Sequence, residues 1–253
     1  MKFIIHGAAG RMGQNLITSV EAMGHTVAAC VDILYADAAA KNPAYPCFAS
    51  IDAVDVAADC IIDFSNHVTT IPLLAFAMAH KMPVMLATTG QTPEELAAVD
   101  AATAQIPLFR AANMSLGIAT LVSLVKTAVC MFPDADIEII EKHHNQKLDV
   151  PSGTALALAD AVCAVREDAE LVIGRHENGK RRKCEVGIHS LRLGGVVGEH
   201  EVIITTGNET ISLKHEAHSR AVFADGGVQA AAFVAAQTEP GLYTMEDLIA
   251  ACR

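Results

Sequence analysis

The stretch that most narrows the fold is KFIIHGAAGRMG at residues 2–13, followed by QNLITSVEAMGH and then TVAACVD. A short apolar run leads straight into Gly7, Gly10 and Gly13. Met12, Leu16, Val20 and Met23 then recur at helical spacing, and Gly24 offers a stop. A second apolar run ends in Asp32. Strand, glycine turn, helix, strand and acid follow in the order expected of a dinucleotide-binding βαβ unit. The glycines let the turn close and let a pyrophosphate approach the backbone. The helix start contributes N–H groups and the positive end of its dipole. Asp32, about twenty residues past the turn, is placed to accept from ribose hydroxyls. The spacing is G-x-x-G-x-x-G rather than G-x-G-x-x-G, so a purely structural turn is the competing reading. Likewise, Asp32 competes with a solvated strand end, and Arg11 faces either a phosphate or water.

The pattern repeats downstream. Residues 59–64 read as a buried strand, TTIPLLAFAMAH as a helix, and 83–87 as a strand ending in Thr88-Thr89-Gly90. TPEELAAVDAATAQ carries the marks of a capped helix start, and 107–112 is one more strand running into Asn113-Met114-Ser115. Strands alternating with helices imply a Rossmann-type α/β domain, its mostly parallel sheet covered on both faces. Ligands in such sheets lie beyond the carboxyl ends of the strands. Gly7, Asp32, Thr88-Thr89-Gly90 and Ala112-Asn113-Met114 share that edge, which reads as a nicotinamide-facing rim. This domain is expected to span 1–114 and to be completed by 224–253.

From about residue 115 the character changes. Leu116 onwards begins a long helix, ADIEIIE alternates like a half-buried strand, and TGNE separates two alternating runs as a hairpin would. Strands without intervening helices imply a separate α+β domain with an antiparallel or mixed sheet, over 115–223.

Between its first strand and next helix lies EKHHNQKLDVPSGTA, residues 141–155. The strand is expected to end near Glu141 and the helix to start near Gly153, with Pro151 restraining the chain and Ser152 or Thr154 capping. His143, His144 and Lys147 thus meet a fresh helix N-terminus, which makes a small-anion site beside a titratable imidazole. With a net charge of −11, the chain offers no positive field for nucleic acid. An anionic substrate has to be captured locally. Carboxylate binding, proton donation and a hydride carrier together describe a reductase of a small carboxylated, unsaturated compound. No metal is expected, because the adjacent histidines lack a third ligand at diagnostic spacing; His215 and His218 come closest. Seven dispersed cysteines read as reduced thiols in a cytoplasmic protein. No run approaches a membrane span, and the N-terminus turns glycine-rich too soon for a signal peptide.

The run Glu138-Ile139-x-Glu141-x-His143-His144-x-x-Lys147-x-Asp149-x-Pro151-Ser152-Gly153-Thr154-Ala155 resembles the signature of the dihydrodipicolinate reductase family. The resemblance extends to Gly7–Gly13, Asp63-Phe64-Ser65, Ala87–Gly90, Ala111–Gly117, Val197–His200 and Ser219–Ala224. It implies a homotetramer built from an N-terminal dinucleotide domain and a C-terminal substrate and assembly domain. The implied reaction, on the diaminopimelate route to lysine, reduces a cyclic imine dicarboxylate by hydride addition at C4, with loss of water from the 4-hydroxy precursor. By resemblance His143 is the proton donor/acceptor and Lys147 the second donor, and His144, Gly153 and Thr154 contact the substrate. Gly7, Ala8, Ala9, Gly10, Arg11, Met12, Asp32, Ala87, Thr88, Thr89, Ala111, Ala112, Asn113 and Met114 match the nucleotide-contacting loops. Asp32 repels a 2′-phosphate and is followed by Ile33 rather than an arginine, which favours NADH while leaving NADPH usable. Which of His143 and Lys147 delivers the proton stays open at this level. A semialdehyde dehydrogenase would share the first half but needs a catalytic cysteine, and the cysteines here sit in apolar runs. A nucleotide-binding regulator needs a partner-binding module that the sequence does not offer.

Overall fold

The computed structural model describes residues 1–252, which divide into two compact units, 1–115 with 220–252, and 116–219. The first unit opens with β1 (Lys2–His6), α1 (Arg11–Ala22) and β2 (Thr26–Val31). It continues through β3 (Cys47–Phe48), β4 (Cys60–Asp63), α2 (Thr70–His80), β5 (Val84–Leu86), α3 (Pro93–Thr103) and β6 (Pro107–Arg110). The second unit holds α4 (Leu116–Met131), β7 (Asp136–His143), α5 (Gly153–Cys163), β8 (Glu170–Ile173), β9 (Glu185–Arg192), β10 (Gly198–Thr205) and β11 (Thr210–Ala217). The chain then returns to the first unit as α6 (Ala221–Ala235), β12 (Gly241–Tyr243) and α7 (Met245–Ala250).

All seven strands of the first sheet run parallel, in the order β12-β6-β5-β4-β1-β2-β3. Ile4, Ile61, Val84, Leu86 and Leu108 are buried in one core with Leu73, Leu74 and Val99 of the helices. The strand order reverses at β1: the chain moves outward through β2 and β3 on one side, then crosses to β4 on the other. That reversal opens a crevice at the carboxyl edge. Two glycines shape it. Gly7 has φ +82°, and a Cβ there would lie 2.6 Å from Phe64 O at the end of β4. A Cβ on Gly13 would come within 2.3 Å of Gly7 O, so the first turn of α1 nests directly on the loop. α6 closes the unit, with Ser19 Oγ of α1 donating to Asp225 Oδ1 at 2.6 Å.

The second sheet is mixed, in the order β11-β10-β7-β9-β8: β7, β9 and β8 are mutually parallel, while β10 is antiparallel to both neighbours. Strict alternation along β7 and β10 turns one side of each strand inward. Ile137 and Ile139 line up with Val186 and Ile188 on β9, and with Ile204 and Val202 on β10. α4 and α5 cover this apolar zone with Leu121, Val125, Leu158 and Val162. β7 runs to His143 rather than stopping near Glu141, because His143 still pairs in register with Arg192. The short strands β3, β8 and β12, of two, four and three residues, carry too little pattern to be read from sequence.

Gly13→Ala is expected to lower the unfolding free energy by about 1–3 kcal/mol, as overpacking does. Since the chain has no Trp, circular dichroism in a urea series is the measurement. Wild-type stability would show that the turn has room for a methyl group.

Candidate active site

The inward face of the second sheet changes chemistry two residues beyond its apolar zone. Along the same side of the strands, Glu141 stands opposite Ser190 and His200, and His200 opposite His215. One step further, His143 stands opposite Arg192. Glu141 is 0% exposed, and His143 and His200 are buried with it.

The Glu141 carboxylate uses both oxygens. Oε2 pairs with His143 Nδ1 in a short contact. Oε1 accepts from Arg192 Nη2 at 2.9 Å and from Ser152 N at 3.1 Å. Burial on its own would raise this carboxyl. Hydrogen bonds from Arg192, Ser190, Ser152 and His143 outweigh that and hold it at about 2. Ionised, it can only accept, so the neutral His143 ring carries its proton on Nδ1 and presents a bare Nε2. That nitrogen faces Gly198, where a Cβ would lie 3.1 Å away. Desolvation pulls the His143 pKa below the ordinary imidazole value against the pull of Glu141, and Lys147 and Arg192 add to the lowering.

Ser152 does a second job. Its Oγ accepts from Ala155 N at 3.2 Å and caps α5, so the cap is Ser152 and not Thr154. The same hydroxyl lies 3.2 Å from His200 Nε2, while the His200 ring meets His143 edge-on at 5.1 Å between centroids. Burial and the neighbouring His143 lower His200 to about 4, which keeps it neutral. Gly153 is exposed and Thr154 half-buried in the first turn of α5, where backbone N–H groups point outward. His144 follows the strand and is half-exposed. Lys147 sits in the loop, its Nζ 2.8 Å from Asp149 Oδ1.

Glu141, His143 and His200 bring their ligand-type atoms within 4.8 Å of one another, a spacing that could suit a cation. Electrostatics argues against one. The Arg192 guanidinium already neutralises the carboxylate, and the other oxygen is spent on His143. His215 and His218 do not form a three-ligand group among the described residues.

In the first unit the glycine turn is held from below. Gly7 N and Ala8 N donate to Val31 O at 2.9 and 3.2 Å, and Ala9 N donates to Asp32 Oδ2 at 3.1 Å. Gly10 leads into α1 without a side-chain cap, which leaves that helix start open to an anion. Arg11 is exposed and Met12 half-buried there. Asp32 Oδ1 also accepts from Leu34 N at 3.0 Å, and Ile33 beside it is 80% exposed. At the same edge Thr88, Thr89, Arg110, Ala111 and Ala112 line a cleft of about 200 Å³. Ala87 N is tied to Asp63 O at 3.0 Å, Asn113 Oδ1 accepts from Ser115 N at 2.9 Å, and Met114 is buried. Beneath the crevice His6 Nδ1 lies 2.6 Å from Asp63 Oδ1, which also accepts from Ser65 Oγ at 2.5 Å.

Residues 1–114 match the family described as dihydrodipicolinate reductase, N-terminus, and residues 117–249 its C-terminus. The chain belongs to the dihydrodipicolinate reductase family. The 4-hydroxy-tetrahydrodipicolinate reductase of Caldanaerobacter subterraneus subsp. tengcongensis is 46% identical, with 98% of each chain covered. That of Clostridium novyi is 42% identical over the same shares. A dipicolinate-bound dihydrodipicolinate reductase from Paenisporosarcina sp. TG-14 has the same fold, with a TM-score of 0.81 at 24% identity, covering 96% of this chain and 97% of that one. Among the described residues no helix is long and apolar enough to cross a membrane.

Sequence reasoning named His143, Lys147 and the Ser-Gly-Thr turn, yet missed the groups behind them. Glu141 belongs to the signature but its local sequence points to no role, and Arg192 and His200 lie 51 and 59 residues from it. Only the strand register brings them together.

His200 has a lower pKa folded than its ordinary 6.5, so the unfolded chain takes up a proton that the native site excludes. Stability is therefore expected to fall as pH drops from about 6.5 to about 4, by up to about 3 kcal/mol. Urea midpoints across that window should decline less steeply in His200→Gln. An identical slope would mean that His200 is not the group responsible.

Proposed function

We propose that this chain reduces the cyclic imine dicarboxylate formed from 4-hydroxy-tetrahydrodipicolinate, using a nicotinamide dinucleotide, in the diaminopimelate route to lysine. Family membership over nearly the whole chain supports the reaction. The observation that carries the residue roles is the buried Glu141–His143 couple beside the capped start of α5.

The first unit fits a dinucleotide. Gly7 and Gly13 let the turn and the first turn of α1 pack backbone against backbone, and the uncapped start of α1 is suited to a pyrophosphate. Gly7 to Met12 and Asp32 would hold the adenosine and phosphate side, and Ala87 to Thr89 with Ala111 to Met114 the nicotinamide side. When bound, that cofactor supplies the hydride to C4 of the substrate ring. NADH is the favoured form: Asp32 carries a negative charge where a 2′-phosphate would lie, and Ile33 offers no cation next to it.

The second unit handles the dicarboxylate and the proton. The N–H groups of Gly153 and Thr154, with the Thr154 hydroxyl and His144, would bind the carboxylates, and Lys147 would exchange Asp149 for the substrate anion. Hydride addition places negative charge on the conjugated carbon–carbon–nitrogen system, and one proton completes the reduction. Protonated to the imidazolium with Glu141 as its counterion, His143 would give that proton from Nε2 and return to the neutral Nδ1–H form, with Lys147 as the second donor and the electrostatic partner of the developing charge. Assembly as a homotetramer belongs to the same reading and follows from the family alone.

Two measurements test it. With freshly made synthase product and NADH, His143→Gln and Lys147→Ala should each reduce turnover by roughly two or more orders of magnitude, the usual worth of a positioned acid or base. Turnover within a few-fold of wild type in either variant would remove that residue from the proton path. Asp32→Ala should shift the ratio of kcat/KM values toward NADPH, and an unchanged ratio would reject the charge-repulsion argument.

A further inference from the structure

We infer that Glu141 is a positioning residue that sets the tautomer of His143 and fixes its ring to the anion-binding start of α5. The inference rests on the proton-transfer role proposed for His143.

The geometry has three parts. Glu141 Oε2 meets His143 Nδ1, and Glu141 Oε1 accepts from Arg192 Nη2 and from Ser152 N. Ser152 is the cap of α5, immediately before Gly153 and Thr154. One carboxylate therefore holds the imidazole by one oxygen and the anion cradle by the other. The remaining groups that face His143 are Arg192 on β9, His200 on β10 and Lys147 in the loop; His215 on β11 stands behind His200. Arg192 and Lys147 are donors only, and the His200 ring meets His143 edge-on with its Nε2 at Ser152 Oγ, so Glu141 is the acceptor at Nδ1. The arrangement repeats the logic of a buried carboxylate orienting a histidine in acyl-transfer triads, where it selects the tautomer without taking the proton.

The two oxygens are not equivalent, and that gives a sharp test. In Glu141→Gln the amide oxygen is claimed by the Arg192 and Ser152 donors, so the amide NH2 is left at the position facing Nδ1. An NH2 there donates to Nδ1 and forces the neutral ring to carry its proton on Nε2. The expected result is a switch of His143 from the Nδ1–H to the Nε2–H tautomer, read from imidazole nitrogen shifts in 15N-labelled protein without substrate. Turnover should fall by about 10²–10⁴-fold, and the limb of the kcat/KM profile that reports His143 should move to lower pH because the carboxylate no longer favours the imidazolium.

Retention of the Nδ1–H tautomer in Glu141→Gln would overturn the inference whatever the activity, as would wild-type turnover with an unmoved pH profile. A switched tautomer together with wild-type turnover in His143→Gln would instead overturn the acid–base reading of His143 and leave the positioning contact standing. If Glu141→Gln does not fold, Glu141→Asp carries the test. Its shorter side chain keeps an acceptor but does not reach both His143 and Ser152, so the Nδ1–H tautomer should persist while kcat drops at least tenfold. Wild-type kcat in Glu141→Asp would overturn the inference.

Discussion

A single ionised carboxylate, fully enclosed, organises the second unit. Removing Glu141 from water is unfavourable, and an unpaired charge there would destabilise the domain severely. It is tolerated because Arg192, Ser152 and His143 surround it with donors, one from β9, one from the start of α5 and one from β7 itself. Each partner belongs to a different segment, so satisfying the charge and assembling the site are the same event. The dependence runs both ways: losing any donor leaves a buried acceptor uncompensated, which is why the cluster resists piecemeal change.

The sheet shows how such a cluster is accommodated. Its inward face is a conventional apolar layer of Ile137, Ile139, Val186, Ile188, Val202 and Ile204, packed under α4 and α5. The next rung replaces aliphatic side chains by Glu141, Ser190 and His200 without any break in the strands. Regular hydrogen-bonded ladders thus hold the polar groups to the tolerance of a core. Proton-transfer chemistry benefits from that stiffness, since an imidazole displaced by an ångström loses much of its effect. The first unit follows a different plan and presents its ligand-facing groups on loops at the carboxyl edge of a parallel sheet, positioned by the strands beneath.

What could be read from sequence was whatever local chemistry determines. The Gly7–Gly13 turn, the Thr92/Glu95 capping box of α3 and the hairpin between β10 and β11 all announce themselves within a few residues, and each is present. The signature run concentrates its polar groups in a few consecutive residues for the same reason. The interior of the site did not show, because the pairing of Glu141 with Arg192 and His200 depends on register between strands far apart in the chain. His-His looked like the beginning of a loop, since two polar residues in a row mask alternation. The ladder with β9 carries the strand through to His143 and turns only one of the pair inward. Short strands such as β3 and β12 escaped notice because two or three residues do not establish a period.

The contact between Ala9 N and Asp32 Oδ2 carries a consequence for how such a chain could change its diet of nucleotides. The acid proposed to discriminate against an extra phosphate is also a strut under the glycine loop, and through Leu34 N it starts the following turn. The proposed selectivity and the observed loop shape thus depend on one side chain. A lineage drifting toward the phosphorylated nucleotide by neutralising position 32 would first loosen the floor on which either nucleotide rests. The easier road leaves the acid in place and recruits a cation at a neighbour such as Ile33, whose side chain already stands in the open.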